Sequence, residues 1–265
     1  MALPKTLPAL LLFMEGKHVD DCFALMQRIR DINEATKAKS NDSVDRLVEI
    51  IKSAEGLTTR ILRAAGVQTL RSEELNFAIL KLGANEVRDI ALRHAYGSTA
   101  GAADRFRKDL WNFNFCHALV ADYCRKLLGV EGEAYLPALL ERLGVIILHQ
   151  YFGPEYRQLR DSRNSSTTLY AHETEVLGYN SIEAGVHTLE LWGLQELAAP
   201  LSTQLTPVTE IDKVRYFARN ITARITNLFR DGVTYDPAVI EPLAKTLGPD
   251  FHAKAIEHLR TALLR

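Results

Sequence analysis

The sequence predicts an all-α fold. Three observations support this: apolar residues recur every three or four positions in nearly every long segment, strand-like alternation is scarce, and no Asn-Gly or Asp-Gly pair joins two alternating runs. The only Asp-Gly pair, Asp231-Gly232, follows a helical pattern and is predicted to end that helix. We therefore expect a protein of ten or more helices with short connections.

Five helices are predicted before residue 98. Asn41-Asp42-Ser43 is a typical helix start, and Gly66, Gly83 and Gly97 are predicted to lie at helix C-termini. Leu57, at the start of the third helix, begins an apolar face. The five predicted segments are 18–38, 43–54, 57–65, 72–82 and 85–96.

Helical periodicity continues through the rest of the chain. A long helix is predicted from about 106 to 128, ending at Gly129, and an apolar helix over 133–151, broken by Gly153-Pro154. Two helices flank Leu177-Gly178, and Pro207 marks a boundary. The remaining predicted segments are a polar loop at 161–168, a helix at 209–230 and at least two helices within 236–265.

The loop at 98–104, STAGAAD, is the best candidate boundary between two lobes because its residues are small and flexible. It divides a domain at 7–206 into a small N-terminal lobe (about 7–97) and a larger C-terminal lobe (105–206). Residues 207–265 are expected to form a helical extension packed on that domain.

The composition is that of an ordinary soluble globular protein. Of 265 residues, 47% are hydrophobic and 25% charged, and the formal net charge is -1. A near-neutral chain gives no electrostatic reason to expect DNA, RNA or an anionic membrane as partner. The apolar run at 9–14 is far too short to span a bilayer. The three cysteines form no CxxC pair, which favours a reducing cytoplasm.

The common catalytic motifs are absent from the sequence. It contains no P-loop, no Gly-x-Gly-x-x-Gly, no Gly-x-Ser-x-Gly and no His-Glu-x-x-His. Of the eight histidines, His117 is expected to be partly buried with a hydrogen-bond partner, and His149 to lie at a helix C-terminus, where its charge suits the dipole. We therefore predict neither a metal nor another cofactor.

The doublet Glu141-Arg142 lies inside an apolar run, ALLERLGVIIL at 138–148. A buried charge is costly unless it is paired or binds a metal. Three explanations remain open: the doublet faces solvent, it belongs to a buried polar cluster, or it lines a ligand site. The apolar stripe of this helix is complete without the doublet, which favours the first explanation.

Five blocks, taken in order, resemble the HDOD family, whose members are relatives of the HD metal-dependent phosphohydrolases. The blocks are LPAL (7–10), SVDRLVEIIKSAEGLTTRILRAAG (43–66), LRSEELNFAILKLGANEVRDIAL (70–92), LWNFNFCHALVADYCRKL (110–127) and ETEVLGYNSIEAGVHTLELWGL (173–194). The resemblance spans roughly residues 7–206 and implies an all-helical, HD-like fold and a role in bacterial signalling.

The resemblance also implies that the metal centre of the HD enzymes has been dismantled here. Where those enzymes carry His-Asp, this chain has Glu141-Arg142, and only His117 matches a ligand position. Asn180-Ser181 and Gln204-Leu205 replace an Asp-His and a His-His pair. An arginine places a permanent cation where the metal would lie. We expect Arg142 to pair with a nearby carboxylate such as Glu141 or Glu183.

The sequence thus indicates a cytoplasmic, non-enzymatic signalling or regulatory protein that binds a protein partner or a small signalling ligand. The expected ligand pocket contains His117, Glu141, Arg142, Asn180 and Glu183. One alternative is an HD-type phosphohydrolase acting on nucleotides. A second is a nucleic-acid-binding regulator that uses a basic patch of Arg60, Arg63, Arg88 and Arg93.

Overall fold

The computed structural model describes residues 3–14, 47–48, 51, 57–67, 74–83, 86–87, 90–91, 105–191, 195–226, 228–229 and 231–264. Within these ranges all regular structure is helical, which confirms the all-α prediction. The helices are α1 (Leu7–Met14), α2 (Leu57–Ala64), α3 (Glu74–Leu82), α4 (Arg105–Leu128), α5 (Tyr135–Leu140), α6 (Leu143–Asp161), α7 (Leu169–Leu177), α8 (Ser181–Leu191), α9 (Gln195–Ser202), α10 (Glu210–Thr226), α11 (Pro237–Leu247) and α12 (Phe251–Leu264).

The chain divides into two compact units. The larger contains residues 1–16 and 104–265, and the smaller contains 17–103. Residues 7–16, which the sequence placed in the N-terminal lobe, group with the larger unit. The reason is local: α1 packs on α8, and the hydroxyl of Tyr179 donates to the carbonyl of Pro4 at 3.2 Å. Residues 207–265 also belong to the larger unit.

In the smaller unit, α2 and α3 pack against each other around an aliphatic core that includes Leu57, Ile61, Leu75 and Ile79. Gly66 follows α2 with a φ of +71°, the left-handed conformation that ends helices and favours glycine. Several predictions lie outside the described residues: the helix at 18–38, the helix start at 41–43, the helix end at Gly97 and the loop at 98–104.

The larger unit is built around α4, which is buried along most of its length. Helices α5, α10 and α12 pack against it, and α6 packs against α8. Leu110, Phe113, Val120 and Cys124 are fully buried along α4. This arrangement positions the site described below, because α4, α10 and the α5–α6 junction all supply residues to it.

Helices α6 and α8 cross where both carry glycine. A Cβ placed on Gly144 would lie 1.7 Å from the carbonyl oxygen of Ser181, and one on Gly185 would lie 3.0 Å from the nitrogen of Gly144. The two backbones therefore approach more closely than any side chain would permit. The close approach fixes the position of α8 on α6.

One sequence prediction about helix boundaries is wrong in this region. The segment 133–151 forms two helices, α5 and α6, with Glu141 and Arg142 at the junction. The predicted break at Gly153-Pro154 is found one residue earlier: Phe152 has non-helical backbone angles (φ -128°, ψ 35°), so α6 consists of two helical parts that meet at a kink just before Pro154. His149 lies in the last turn before this kink, as its place after the apolar run indicated, but it is buried, with its ring centre 4.6 Å from that of Phe106.

The predicted helix at 209–230 ends earlier, at Thr226, so Asp231 lies in the following loop and is not a helix-end residue. The two helices predicted within 236–265 are confirmed as α11 and α12. None of the described helices is both long and apolar enough to cross a membrane.

Candidate functional site: a buried charge cluster

Glu141 and Arg142 lie in a tight turn between two buried helices. Every residue of α5 is buried, and so are the first seven residues of α6, which leaves the turn no solvent-facing side. Glu141 is 6% exposed and Arg142 2% exposed. The prediction that this doublet faces solvent is therefore wrong, because the break in the helix turns both side chains inward.

Five side chains form what we call the charge cluster: His117, Glu141, Arg142, Arg219 and Asp231. Glu141 is held from two sides. Nδ1 of His117 lies 2.9 Å from its Oε2, and Nη1 of Arg219 donates to its Oε1 at 2.7 Å. The other ring nitrogen of His117 lies 3.0 Å from the carbonyl oxygen of Arg215 on α10. The glutamate thus joins α4 to α10.

Asp231 is the second carboxylate of the charge cluster. Its Oδ2 accepts hydrogen bonds from Nη2 of Arg219 and, at 3.0 Å, from Nη2 of Arg142. Its Oδ1 accepts from the backbone N–H of Val233 at 3.1 Å, and its carbonyl accepts from that of Leu169 at 2.7 Å. The loop after α10 is therefore anchored to the start of α7 and to the α5–α6 junction.

The guanidinium of Arg142 is packed between aromatic rings. It lies 4.1 Å from the centre of the Phe113 ring and 5.0 Å from that of Phe229. Nε and Nη1 of Arg142 have no hydrogen-bond partner among the described residues. Cation–π attraction to the two rings offsets part of the cost of burying these donors.

Opposite charges balance within the charge cluster. Burial alone would raise the pKa of Glu141, but the positive charge of Arg219, with His117 and Arg142, lowers it to about 2. Arg219 and Arg142 likewise hold the pKa of Asp231 far below its ordinary value against the effect of burial. Two ionised carboxylates therefore face two guanidinium groups at neutral pH.

The residues of the charge cluster do not fit a divalent metal ion. Both oxygens of Glu141 are already occupied by the side chains of His117 and Arg219, and Asp231 is shared by two guanidinium groups. A cation entering this space would meet two permanent positive charges. Across the described ranges, no group of three or more His, Cys, Asp or Glu side chains could hold a metal.

The structure brings together only part of the predicted pocket. His117, Glu141 and Arg142 share the charge cluster, but Asn180 and Glu183 form a capping box at the start of α8. Oδ1 of Asn180 accepts from the N–H of Ile182 at 3.0 Å, and Oε2 of Glu183 accepts from the N–H of Asn180 at 2.8 Å. The predicted partner of Arg142 is corrected: it pairs with Asp231, and not with Glu141 or Glu183.

Sequence reasoning missed Arg219 and Asp231. One signal was present: Arg219 is flanked by Ala218 and Asn220 within the run VRYFARNI, where an arginine stands on the apolar face of a helix. Asp231 gave none, because Asp followed by Gly is common in turns. The basic patch is only partly described: Arg60 and Arg63 are exposed on α2, and Arg88 and Arg93 lie outside the described residues.

A second buried carboxylate lies nearby, at Glu173 of α7. It is fully buried and accepts hydrogen bonds from the hydroxyl of Tyr156 and, at 2.7 and 2.8 Å, from the backbone N–H and the hydroxyl of Ser181. Glu173 thus links α6, α7 and the start of α8. Burial outweighs these donors and raises the pKa of Glu173 to about 6.

We expect Glu173→Gln to change how stability depends on pH. A carboxyl whose folded-state pKa is raised contributes stability that is fully present below about pH 4.5 and lost as the pH rises through about 6. The glutamine keeps the shape and the three contacts, with Tyr156 accepting where it donated. Between pH 4.5 and 7.5 the free energy of unfolding of the wild type should fall by about 2 kcal/mol relative to that of the variant.

Urea unfolding at a series of pH values measures this difference. Glu241→Gln, at an exposed position on α11, is the matched control and should follow the wild type. A wild-type-minus-variant difference that stays constant with pH would show that Glu173 does not titrate in this range.

The fold and the site together define an all-helical domain with a buried ion-paired cluster, at the position where the sequence resemblance expects the metal centre of the HD enzymes. A family model described as "HDOD domain" matches residues 24–203. The chain belongs to the HDOD family, as the sequence resemblance indicated.

Solved structures share the fold. An HDOD domain protein with unknown function from Geobacter sulfurreducens is 16% identical, with a TM-score of 0.64, over 96% of this chain and 93% of that one. A provisionally named phosphohydrolase from Shewanella amazonensis is 18% identical, with a TM-score of 0.60, over 95% and 98%. A provisionally named signal transduction protein from Marinobacter aquaeolei is 19% identical, with a TM-score of 0.65, over 93% and 59%. No curated protein matches the chain significantly.

Proposed function

We propose that this chain is a non-enzymatic signal-transduction or regulatory protein of the bacterial cytoplasm, which binds a protein partner or a small signalling ligand. The observation that carries the proposal is the charge cluster. At the position where the HD phosphohydrolases carry His-Asp, this chain carries Glu141 and Arg142, and both are neutralised by groups of the chain itself.

Electrostatics supports the absence of hydrolytic chemistry at this position. Metal-assisted hydrolysis needs an ion with an open coordination position where water can be activated. Here the guanidinium groups of Arg142 and Arg219 use the available carboxylates and exclude a divalent cation from their neighbourhood. A hydrolase built on this fold would therefore need a different site.

The residues of the predicted ligand pocket differ in how accessible they are to a ligand. Glu183 is exposed and Asn180 half-buried, so a ligand at the start of α8 would reach them directly. His117, Glu141 and Arg142 are buried, so they would respond only through packing. We propose that binding near α8 is transmitted inward through its close contact with α6 at Gly144 and Gly185.

The alternative function is that of an HD-type phosphohydrolase acting on nucleotides. The Shewanella protein, which has this fold, carries the name of a phosphohydrolase. Elemental analysis of full-length protein, purified without chelator or metal-affinity resin, separates the two. We expect no stoichiometric transition metal and no release of phosphate from nucleotides with added Mn²⁺ or Mg²⁺. Stoichiometric metal, or metal-dependent turnover abolished by Glu141→Gln, would overturn the proposal.

A further inference from the structure

Arg219 is bound by the rest of the protein as a ligand is bound. Its side chain is fully buried, and its two terminal nitrogens meet three acceptors from three separate parts of the chain. Nη1 donates to Glu141 at the α5–α6 junction, at 2.7 Å. Nη2 donates to Asp231, in the loop after α10, and to the hydroxyl of Tyr170 on α7, at 3.1 Å.

The acceptors around Arg219 are held in place by other groups. Glu141 contacts His117, and Asp231 is bound by Arg142 and by the N–H of Val233. Neither carboxylate therefore depends on Arg219 alone for its position. A site of this kind is preorganised, and preorganisation lowers the cost of binding.

We propose that Glu141, Tyr170 and Asp231 form a guanidinium-binding site in which Arg219 is a tethered ligand. The ligand class is a planar monocation, because each carboxylate meets a different nitrogen of one fork and the third acceptor is a neutral hydroxyl. Arg219 comes from α10, which begins beyond residue 203, where the HDOD match ends. The site therefore makes the C-terminal segment part of the core, whatever signal the protein carries.

Arg219→Ala in the full-length chain tests this site, with free guanidinium as the probe. We expect the variant to have a lowered thermal midpoint. Guanidinium chloride at about 20 mM, far below the molar range that unfolds proteins, should restore part of that loss. If the ion is present at a few times its Kd, the midpoint should rise by about 2–4 °C. Sodium chloride and tetramethylammonium chloride at the same concentration should have no such effect.

Arg224→Ala is the matched control, since Arg224 is an exposed arginine on the same helix. This control and the wild type should not be stabilised by guanidinium. The proposal is overturned if Arg219→Ala gains nothing from guanidinium, or if the control gains as much. It is also overturned if tetramethylammonium or Mn²⁺ stabilises Arg219→Ala equally, because the site would then not select a planar monocation.

If Arg219→Ala does not fold, Arg219→Lys and Arg224→Lys form the second pair. Lysine keeps the positive charge but cannot reach both carboxylates with a planar fork. We expect the thermal unfolding midpoint to fall clearly more in Arg219→Lys than in Arg224→Lys. Equal losses would show that charge alone is required at residue 219 and would overturn the proposal.

Discussion

Glu141→Ala is expected to lower the free energy of unfolding by about 3–5 kcal/mol, the usual cost of removing one partner from a buried ion pair. Arg219 would lose the hydrogen bond that its Nη1 donates, and Nδ1 of His117 would lose its contact with Oε2 of Glu141. The loss includes the penalty for leaving charge buried without compensation. Urea unfolding at pH 7 measures it directly.

The control for this prediction is Glu131→Ala. Glu131 is exposed in the loop before α5, where truncation should change stability by less than about 0.5 kcal/mol. Glu141→Gln separates charge from shape, because it keeps the size and shape of the side chain while removing the negative charge. If Glu141→Ala and Glu131→Ala cost the same, Glu141 is not part of a buried charge cluster.

Gly144→Ala is expected to destabilise the protein by about 3 kcal/mol, the upper end of the usual cost of overpacking. The new Cβ would overlap the carbonyl oxygen of Ser181, 1.7 Å away, which is backbone and cannot rotate aside. Helix α8 would have to move away from α6. We expect a lower thermal midpoint and faster hydrogen exchange at the start of α8.

Gly153→Ala is the control on the same helix. A Cβ on Gly153 meets no atom within 4 Å, so this substitution should be neutral or slightly stabilising. The same substitution should therefore be strongly destabilising at Gly144 and harmless at Gly153, two positions of α6. Equal effects at Gly144 and Gly153 would contradict the close crossing of α6 and α8.

The helices themselves could be predicted because their signals are local. Apolar spacing and glycine termini located α2, α4, α7 and α8 to within a few residues, and Gly66, Gly83, Gly129 and Gly178 all have the positive φ expected of helix ends. The break between α5 and α6 could not be predicted in this way. Its residues are compatible with a continuous helix, and what stabilises the turn is the pairing of Glu141 and Arg142 with Arg219 and Asp231.

The candidate site shows the same division. Glu141 and Arg142 stand out in the sequence because charge in an apolar run is unusual and needs an explanation, and His117 stands out because the resemblance puts it at a ligand position. The resemblance puts Asn180 and Glu183 in the same pocket, but both belong to a helix cap, which their i,i+3 spacing in the sequence also indicates. Arg219 and Asp231 were missed because their partners at the α5–α6 junction, Glu141 and Arg142, lie 78 and 89 residues away along the chain.

The sequence by itself determined the helical class, the HDOD family and the absence of the His-Asp pair from its usual place. Each of these follows from residue identity and short-range spacing. Only the tertiary structure decided where the charges of Glu141 and Arg142 go, because ion pairing depends on atoms within a few ångströms and not on separation along the chain. The sequence pattern favours a solvent-facing position for these two charges, but in the structure they are buried and paired with Arg219 and Asp231. Both partners lie beyond residue 203, where the match to the HDOD model ends.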